Sequence, residues 1–233
     1  MTRVLVAGAT GRLGSPVCAA IVAADDLTLA GRVARSLDAS DGDGFGSLSA
    51  ALAATAPDVL VDVTAPDAGE GHALAALAVG VPVVLGTTGL PADGLARIDA
   101  AAKDAGLAAL YVPNFAITAV LMMRFAAEAA RVVPDCAIVE EHHANKLDRP
   151  SGTSKRTAEL IEAVTGVYPE ISSLRLDGVV ANQSVVFGAP GQTLEIRHVT
   201  TSREAFVPGV LLSVRRIGGL APGLHEGLET VLD

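Results

Sequence analysis

The stretch RVLVAGATGRLG, residues 3–14, runs from a continuous apolar segment into three glycines, Gly8, Gly11 and Gly14, spaced three residues apart. A short apolar run of this kind reads as a strand buried on both faces, and glycines directly after it permit a tight turn with close backbone approach. A helix-length segment follows, about residues 13–24, so the loop stands at a helix N-terminus, where free N–H groups suit a pyrophosphate. The spacing is G-x-x-G-x-x-G and departs from G-x-G-x-x-G. The strand, turn and helix around it carry the reading, and a turn that serves packing alone is the plainer alternative.

Working outward, strand-like runs at 3–7, 27–33, 58–63, 81–85 and 108–112 alternate with Ala-rich helix-length segments. That alternation predicts an α/β domain with a parallel, Rossmann-type sheet covered by helices. The second strand ends in LAGRVARS, where Arg32, Ala34 and Arg35 stand in place of an acid. An acid there favours an unphosphorylated ribose and a guanidinium matches a 2′-phosphate, so NADPH is expected to be preferred, with NADH weaker. Ordinary solvated arginines are the alternative. Two loops, Gly86-Thr87-Thr88-Gly89 and Val112-Pro113-Asn114-Phe115, fall at carboxyl ends of expected strands and are placed to meet a nicotinamide, though each could be merely a turn. The acidic segment DASDGDGFG, residues 38–46, reads as a solvated loop with no binding role.

After residue 115 the pattern changes. A helix over about 116–132 leads to a strand, a helix near 154–164, and extended runs at 173–176, 179–187 and 193–201 without crossover helices between them. This predicts a second, α+β domain with a mixed, largely antiparallel sheet. A final helix over about 203–217 is expected to pack back on the first domain, which divides the chain into 1–114, 115–203 and a returning segment 204–233.

Half of the 233 residues are hydrophobic, ample for a packed core, while 17 basic against 26 acidic residues give a net charge of −9. That balance, with aromatics at 3%, argues against nucleic acid as a partner. The uncharged runs 71–92 and 105–123 are interrupted by glycine, proline and asparagine turns, so no membrane span is expected. The first residues lack the layout of a signal peptide, and the two cysteines, Cys18 and Cys136, form no C-x-x-C pair. A cytoplasmic protein with reduced thiols and no metal site is the expectation.

The densest chemistry lies in EEHHANKLDRPSGTS, residues 140–154. His142 and His143 are adjacent, so at a strand end their side chains point to opposite sides, with Lys146 close enough to share the pocket. Proton-carrying groups beside a turn suit an anionic substrate that gains a proton as hydride arrives. The turn Pro150-Ser151-Gly152-Thr153 opens a helix whose N–H groups and Thr153 hydroxyl would hold a carboxylate, with Lys155 and Arg156 adding positive field. Metal ligation and a surface pair are the alternatives for the histidines, but no third ligand stands at helical spacing.

The order E-x-H-H-x-x-K-x-D-x-P-S-G-T, together with GATGRLG, GTTG and PNF, closely resembles the bacterial 4-hydroxy-tetrahydrodipicolinate reductases, also called dihydrodipicolinate reductases, of diaminopimelate and lysine biosynthesis. The likeness spans nearly the whole chain, and its His-His-Lys and Ser-Gly-Thr element is the specific part. It implies NAD(P)H-dependent reduction of a dicarboxylic cyclic imine by a homotetramer built through the sheet of its second, substrate-binding domain. It also implies roles: His142 as proton donor and acceptor, Lys146 as second proton donor, and His143, Ser151, Gly152 and Thr153 as the grip on a carboxylate. The nucleotide would lie on Gly8, Ala9, Thr10, Gly11, Arg12 and Leu13, on Arg35, on Gly86, Thr87 and Thr88, and on Val112, Pro113, Asn114 and Phe115.

The chain departs from the family pattern in places. Ala34 replaces a frequent acid, which strengthens the NADPH expectation. Thr118 stands where a glycine is usual, Ala181 and Asn182 where a Gly or Ala followed by a His is more typical, and the segment 164–175 is short. Two other readings stay open: a paralogue that reduces or dehydrates a related cyclic imine acid, and a nucleotide-sensing regulator without turnover.

Overall fold

The computed structural model describes residues 1–232 of the chain. β1 (Thr2–Ala7) is buried over its last four residues, as a strand covered on both faces must be. It is followed by α1 (Gly14–Ala23), β2 (Leu27–Val33), β3 (Gly44–Phe45), α2 (Leu48–Thr55), β4 (Val59–Asp62), α3 (Pro66–Ala78), β5 (Val83–Leu85), α4 (Ala92–Ala105) and β6 (Ala108–Tyr111). These strands lie in the order β3-β2-β1-β4-β5-β6, parallel at every pairing. The chain builds outward from β1 on one side, then returns to its other side with β4. The crevice at the carboxyl ends of β1 and β4 is therefore the switch point where open parallel sheets bind ligands.

One face of this sheet packs Leu5, Leu60, Val83 and Leu85 against Leu52, Leu77 and Ile98 from α2, α3 and α4. The glycine at Gly106, with φ +67°, stops α4 in the left-handed conformation that suits a helix end.

The remaining part is built from α5 (Ile117–Ala130), β7 (Cys136–His142), α6 (Gly152–Thr165), β8 (Glu170–Arg175), β9 (Ala181–Ala189) and β10 (Gln192–Thr200). Its sheet order is β10-β9-β7-β8, mixed because β7 runs parallel to β8 and antiparallel to β9. Alternation along the strands sends Ile138, Val185 and Phe187 inward with Met122, Ala126 and Ile161 of the two helices in the same core. Leu174, Val186 and Val199 face outward and are exposed.

Past residue 202 the expected single helix is interrupted. A 3-10 turn at Arg203–Phe206 precedes α7 (Val207–Arg216), and Pro208 in the first turn of α7 sits where a missing N–H costs nothing. β11 (Gly223–Glu226) then adds a seventh strand beside β6, in parallel. Its sequence GLHE carries no β-branched alternation, so only the partner strand makes it a strand. The chain accordingly forms two compact units, 1–115 with the segment from Phe206 onward, and 116–205. Asp233, the last residue of the expected returning segment, lies outside the described residues.

The acidic stretch 38–46 is solvent-exposed at Asp38, Ser40, Asp41 and Gly42, as expected, but it carries local structure where a plain loop was expected. Asp38 caps a 3-10 turn at Ala39–Asp41, and β3 pairs with the end of β2. Among the described residues no helix is long and apolar enough to cross a membrane.

Candidate active site

In the first unit the loop after β1 is shaped by close backbone approach. Gly8 has φ +83°, and a Cβ on it would lie 2.6 Å from the Val63 carbonyl oxygen, directly across the switch point. Gly14 opens α1 so near the loop that a Cβ there would stand 2.1 Å from the Gly8 carbonyl oxygen. Gly8 and Ala9 donate their N–H groups to the Val33 carbonyl and Gly11 donates to that of Gly8. The N–H groups of Thr10, Arg12 and Leu13 have no acceptor among the described residues, and α1 has no side-chain cap. Free donors at a helix N-terminus, in a turn drawn tight by main-chain contacts that leave no room for a Cβ at Gly8 or Gly14, fit a pyrophosphate.

The strand ends beside it are braced by a buried acid that sequence reasoning passed over. Asp62, at the end of β4, is wholly buried and accepts hydrogen bonds from the hydroxyls of Thr64 and Thr87, with His72 Nδ1 of α3 2.7 Å from its other oxygen. Thr87 is thus held inside while Thr88 is exposed. Gly86 lies against the Phe115 ring, 2.5 Å from where a Cβ would stand. The loops 86–89 and 112–115 are thereby brought together at the ends of β5 and β6, with Val112 and Phe115 buried and Pro113 exposed.

Arg32 and Arg35 separate. Arg32 donates from Nε to Asp43 Oδ1 at 2.7 Å and from Nη2 to the Asp41 carbonyl, so the acidic stretch supplies a carboxylate at the end of β2 after all. Arg35 is exposed and makes no ion pair among the described residues. The acid was hidden from the sequence because it arrives through β3, eleven residues after the arginine it meets.

The second unit gathers the His-Lys element around Glu140. Its carboxylate, fully buried, accepts from the Ser151 N–H at 3.2 Å, the Ser154 hydroxyl at 3.3 Å and Arg175 Nη2 at 3.0 Å. Burial would raise Glu140, but hydrogen bonds from Ser173, Ser151 and Arg175 outweigh it and hold the carboxyl below the usual range. His142 ends β7 with Nδ1 3.0 Å from Glu140 Oε2, a contact without hydrogen-bond alignment, which leaves this buried nitrogen unpartnered among the described residues. Burial pushes the imidazole down from its ordinary range, aided by the positive Lys146 and Arg175 and opposed by Glu140. His142 is therefore neutral at neutral pH.

Lys146 sits in the turn after β7, its N–H bonded to the His143 carbonyl, and its ammonium grips Asp148 through both oxygens at 2.7 and 3.0 Å. Ser151 is buried and caps α6 by accepting from the Ser154 N–H, so Gly152 and Thr153 form the first helical turn and are not a separate loop. A Cβ on Gly152 would meet nothing within 4 Å, so the N-terminus of α6 faces open space. Arg175, which the sequence pattern does not single out, connects these parts, since its side chain is 4% exposed and reaches both Glu140 and the Lys146 turn. No spacing signal could have found it: it lies 35 residues from Glu140 and joins it only through the β7–β8 pairing.

The departures have internal partners. The Thr118 hydroxyl lies 2.9 Å from Nδ1 of buried His198, whose Nε2 is 2.9 Å from the Thr200 hydroxyl. Asn182 donates to Glu141 at 2.8 Å and accepts from the Thr200 N–H, bridging three strands.

Two family descriptions match the chain, "Dihydrodipicolinate reductase, N-terminus" over residues 2–115 and "Dihydrodipicolinate reductase, C-terminus" over residues 118–232. The chain is 39% identical over its full length to a 4-hydroxy-tetrahydrodipicolinate reductase of Halalkalibacterium halodurans, all of which is covered. It is 41% identical to one of Nocardia farcinica, with 99% of the chain and 98% of the relative covered. Among solved structures, a dipicolinate-bound dihydrodipicolinate reductase from Paenisporosarcina sp. TG-14 superposes with a TM-score of 0.90 at 31% identity, each chain covered in full.

Proposed function

Because the chain belongs to the dihydrodipicolinate reductase family, the reductases of the diaminopimelate and lysine pathway, we propose that it reduces 4-hydroxy-tetrahydrodipicolinate to tetrahydrodipicolinate, the 4-hydroxyl leaving as water before hydride adds to the conjugated imine that remains. The observation that carries this reading is the joining, around buried Glu140, of a neutral His142, the Lys146 turn and the open N-terminus of α6. Reduced nicotinamide nucleotide supplies the hydride when bound. The residues that would hold it are Gly8 to Leu13, with Gly86 to Thr88 and Val112 to Phe115. The donors of Thr10, Arg12 and Leu13 would face the pyrophosphate.

The substrate is a dianion. The N–H groups at the start of α6, with Thr153 and His143, hold one carboxylate, and Ser151 keeps that helix end in place. Hydride addition moves electron density onto the ring nitrogen, and the Lys146 ammonium delivers a proton there. His142, neutral at rest, accepts and returns a proton beside Glu140, whose negative charge stabilises the imidazolium as it forms. NADPH is the preferred nucleotide, with Arg35 the guanidinium for a 2′-phosphate, since Arg32 is occupied by Asp43. The enzyme works in the cytoplasm as a homotetramer assembled through the outer face of the second sheet, where Leu174, Val186 and Val199 are exposed.

The test is nucleotide oxidation, followed by the absorbance of the reduced nicotinamide, with substrate generated from pyruvate and aspartate semialdehyde by the synthase that makes it. NADPH consumption that Lys146→Ala abolishes, with NADPH binding retained, supports the reading. Arg35→Ala should erase the preference over NADH. Absence of consumption by a protein that binds NADPH overturns it.

A further inference from the structure

The Arg175 guanidinium makes four sets of contacts at once. Nε donates to the Lys146 carbonyl at 3.2 Å, Nη1 to the Leu174 carbonyl at 2.7 Å, and Nη2 to both Glu140 Oε1 at 3.0 Å and the Asp148 carbonyl. Its own backbone lies opposite His142 in the β7–β8 register, and the next N–H, that of Leu176, bonds to the His142 carbonyl at 2.9 Å. One buried planar fork thus holds the main chain on both sides of Leu147, so that the turn carrying Lys146 cannot shift without breaking it. The same fork keeps Glu140 charged next to His142 Nδ1.

We propose that Arg175 is the positioning residue of this reaction. It touches no substrate, but it sets where the Lys146 ammonium stands and which charge His142 meets. This rests on the reductase reading above. A lysine in its place would keep a positive charge for Glu140 yet could not span two carbonyls and a carboxylate in one plane. The two functions of the fork, placement and field, are therefore separable by substitution.

The charged groups facing His142 are Glu140 of its own strand, Lys146 and Asp148 of the following turn, and Arg175 of β8. On β9 the residue opposite is Ala181, which carries no charge. Removing the Arg175 cation makes the imidazole easier to protonate. Whichever protonation state of His142 turnover needs, the limb it sets in the pH profile then moves to higher pH. Loss of stability alone would lower the amplitude without moving that limb.

The experiment compares wild type, Arg175→Ala and Arg175→Lys in steady-state reduction across pH, with NADPH binding measured on each. Wild-type turnover is the check on the reductase reading: if wild type binds NADPH and turns nothing over, that reading fails and takes this proposal with it. With an active wild type, Arg175→Ala should lose about 10²-fold in kcat, the scale of an ångström of misplacement. Its pH limb should move up, while NADPH affinity stays unchanged. Arg175→Lys should lose kcat with the limb near its wild-type position. Guanidinium ion added to Arg175→Ala should restore part of kcat. A folded Arg175→Ala with wild-type kcat and pH profile overturns the proposal. Should Arg175→Ala not fold, wild-type kcat in Arg175→Lys overturns it equally.

Discussion

Gly14→Ala tests the loop after β1 at its tightest point. The new Cβ would stand 2.1 Å from the Gly8 carbonyl oxygen, 2.8 Å from its carbon and 2.9 Å from the Ala9 Cα, all main-chain atoms with no rotamer to yield. Ordinary contact needs about 3.5 Å, so the loop must retreat by about 1 Å. Alanine in place of glycine in a helix gains at most about 1 kcal/mol, whereas overpacking of this kind costs about 1–3 kcal/mol. Strain wins, and the first unit should melt roughly 2–8 °C lower. Displacing one N–H from a pyrophosphate removes a charge-assisted hydrogen bond of about 1.5–3 kcal/mol, on the order of tenfold to a hundredfold in Kd. Calorimetric titration with NADPH and thermal melting read both effects. Gly71→Ala is the control: it lies in α3 with nothing within 4 Å of a Cβ, so it should keep NADPH affinity and gain up to about 1 kcal/mol. Wild-type affinity in Gly14→Ala would refute the assignment of this loop to the pyrophosphate.

Two further outcomes follow from the second unit. His142 and His198 are both held below their ordinary range, chiefly by burial, so the unfolded chain binds protons first as pH falls. Their stability contribution is full above about pH 6.5 and is lost as pH falls through the depressed folded values; that of Glu140 is full above about pH 4.3 and is lost the same way lower down. Thermal melts across acid pH should show both declines, and His198→Gln should flatten the first; an unchanged slope would mean that His198 is not buried neutral. Thr118→Gly should strip His198 Nδ1 of its partner and destabilise this unit by about 1–3 kcal/mol in denaturant unfolding, while Thr118→Ser should cost little.

The alternation of apolar strands with Ala-rich helices determined the parallel sheet, because strand and helix periods are written locally and each hydrophobic face demands a cover. The members of the proposed site stood out as a group, because Glu140 to Thr153 is one contiguous segment whose polar density has no place in a core. The sequence could not disclose what pairs across distance. β3 and β11 are strands only because β2 and β6 offer an edge, and Asp43 reaches Arg32 only through the first of these pairings. Asp62 reads as the end of a strand until His72, Thr64 and Thr87 converge on it, and Arg175 as an ordinary arginine until the β7–β8 register sets it opposite His142. Local pattern is a property of neighbours along the chain, whereas a buried charge is stable only where donors from several elements meet it, and that meeting exists only in the folded protein.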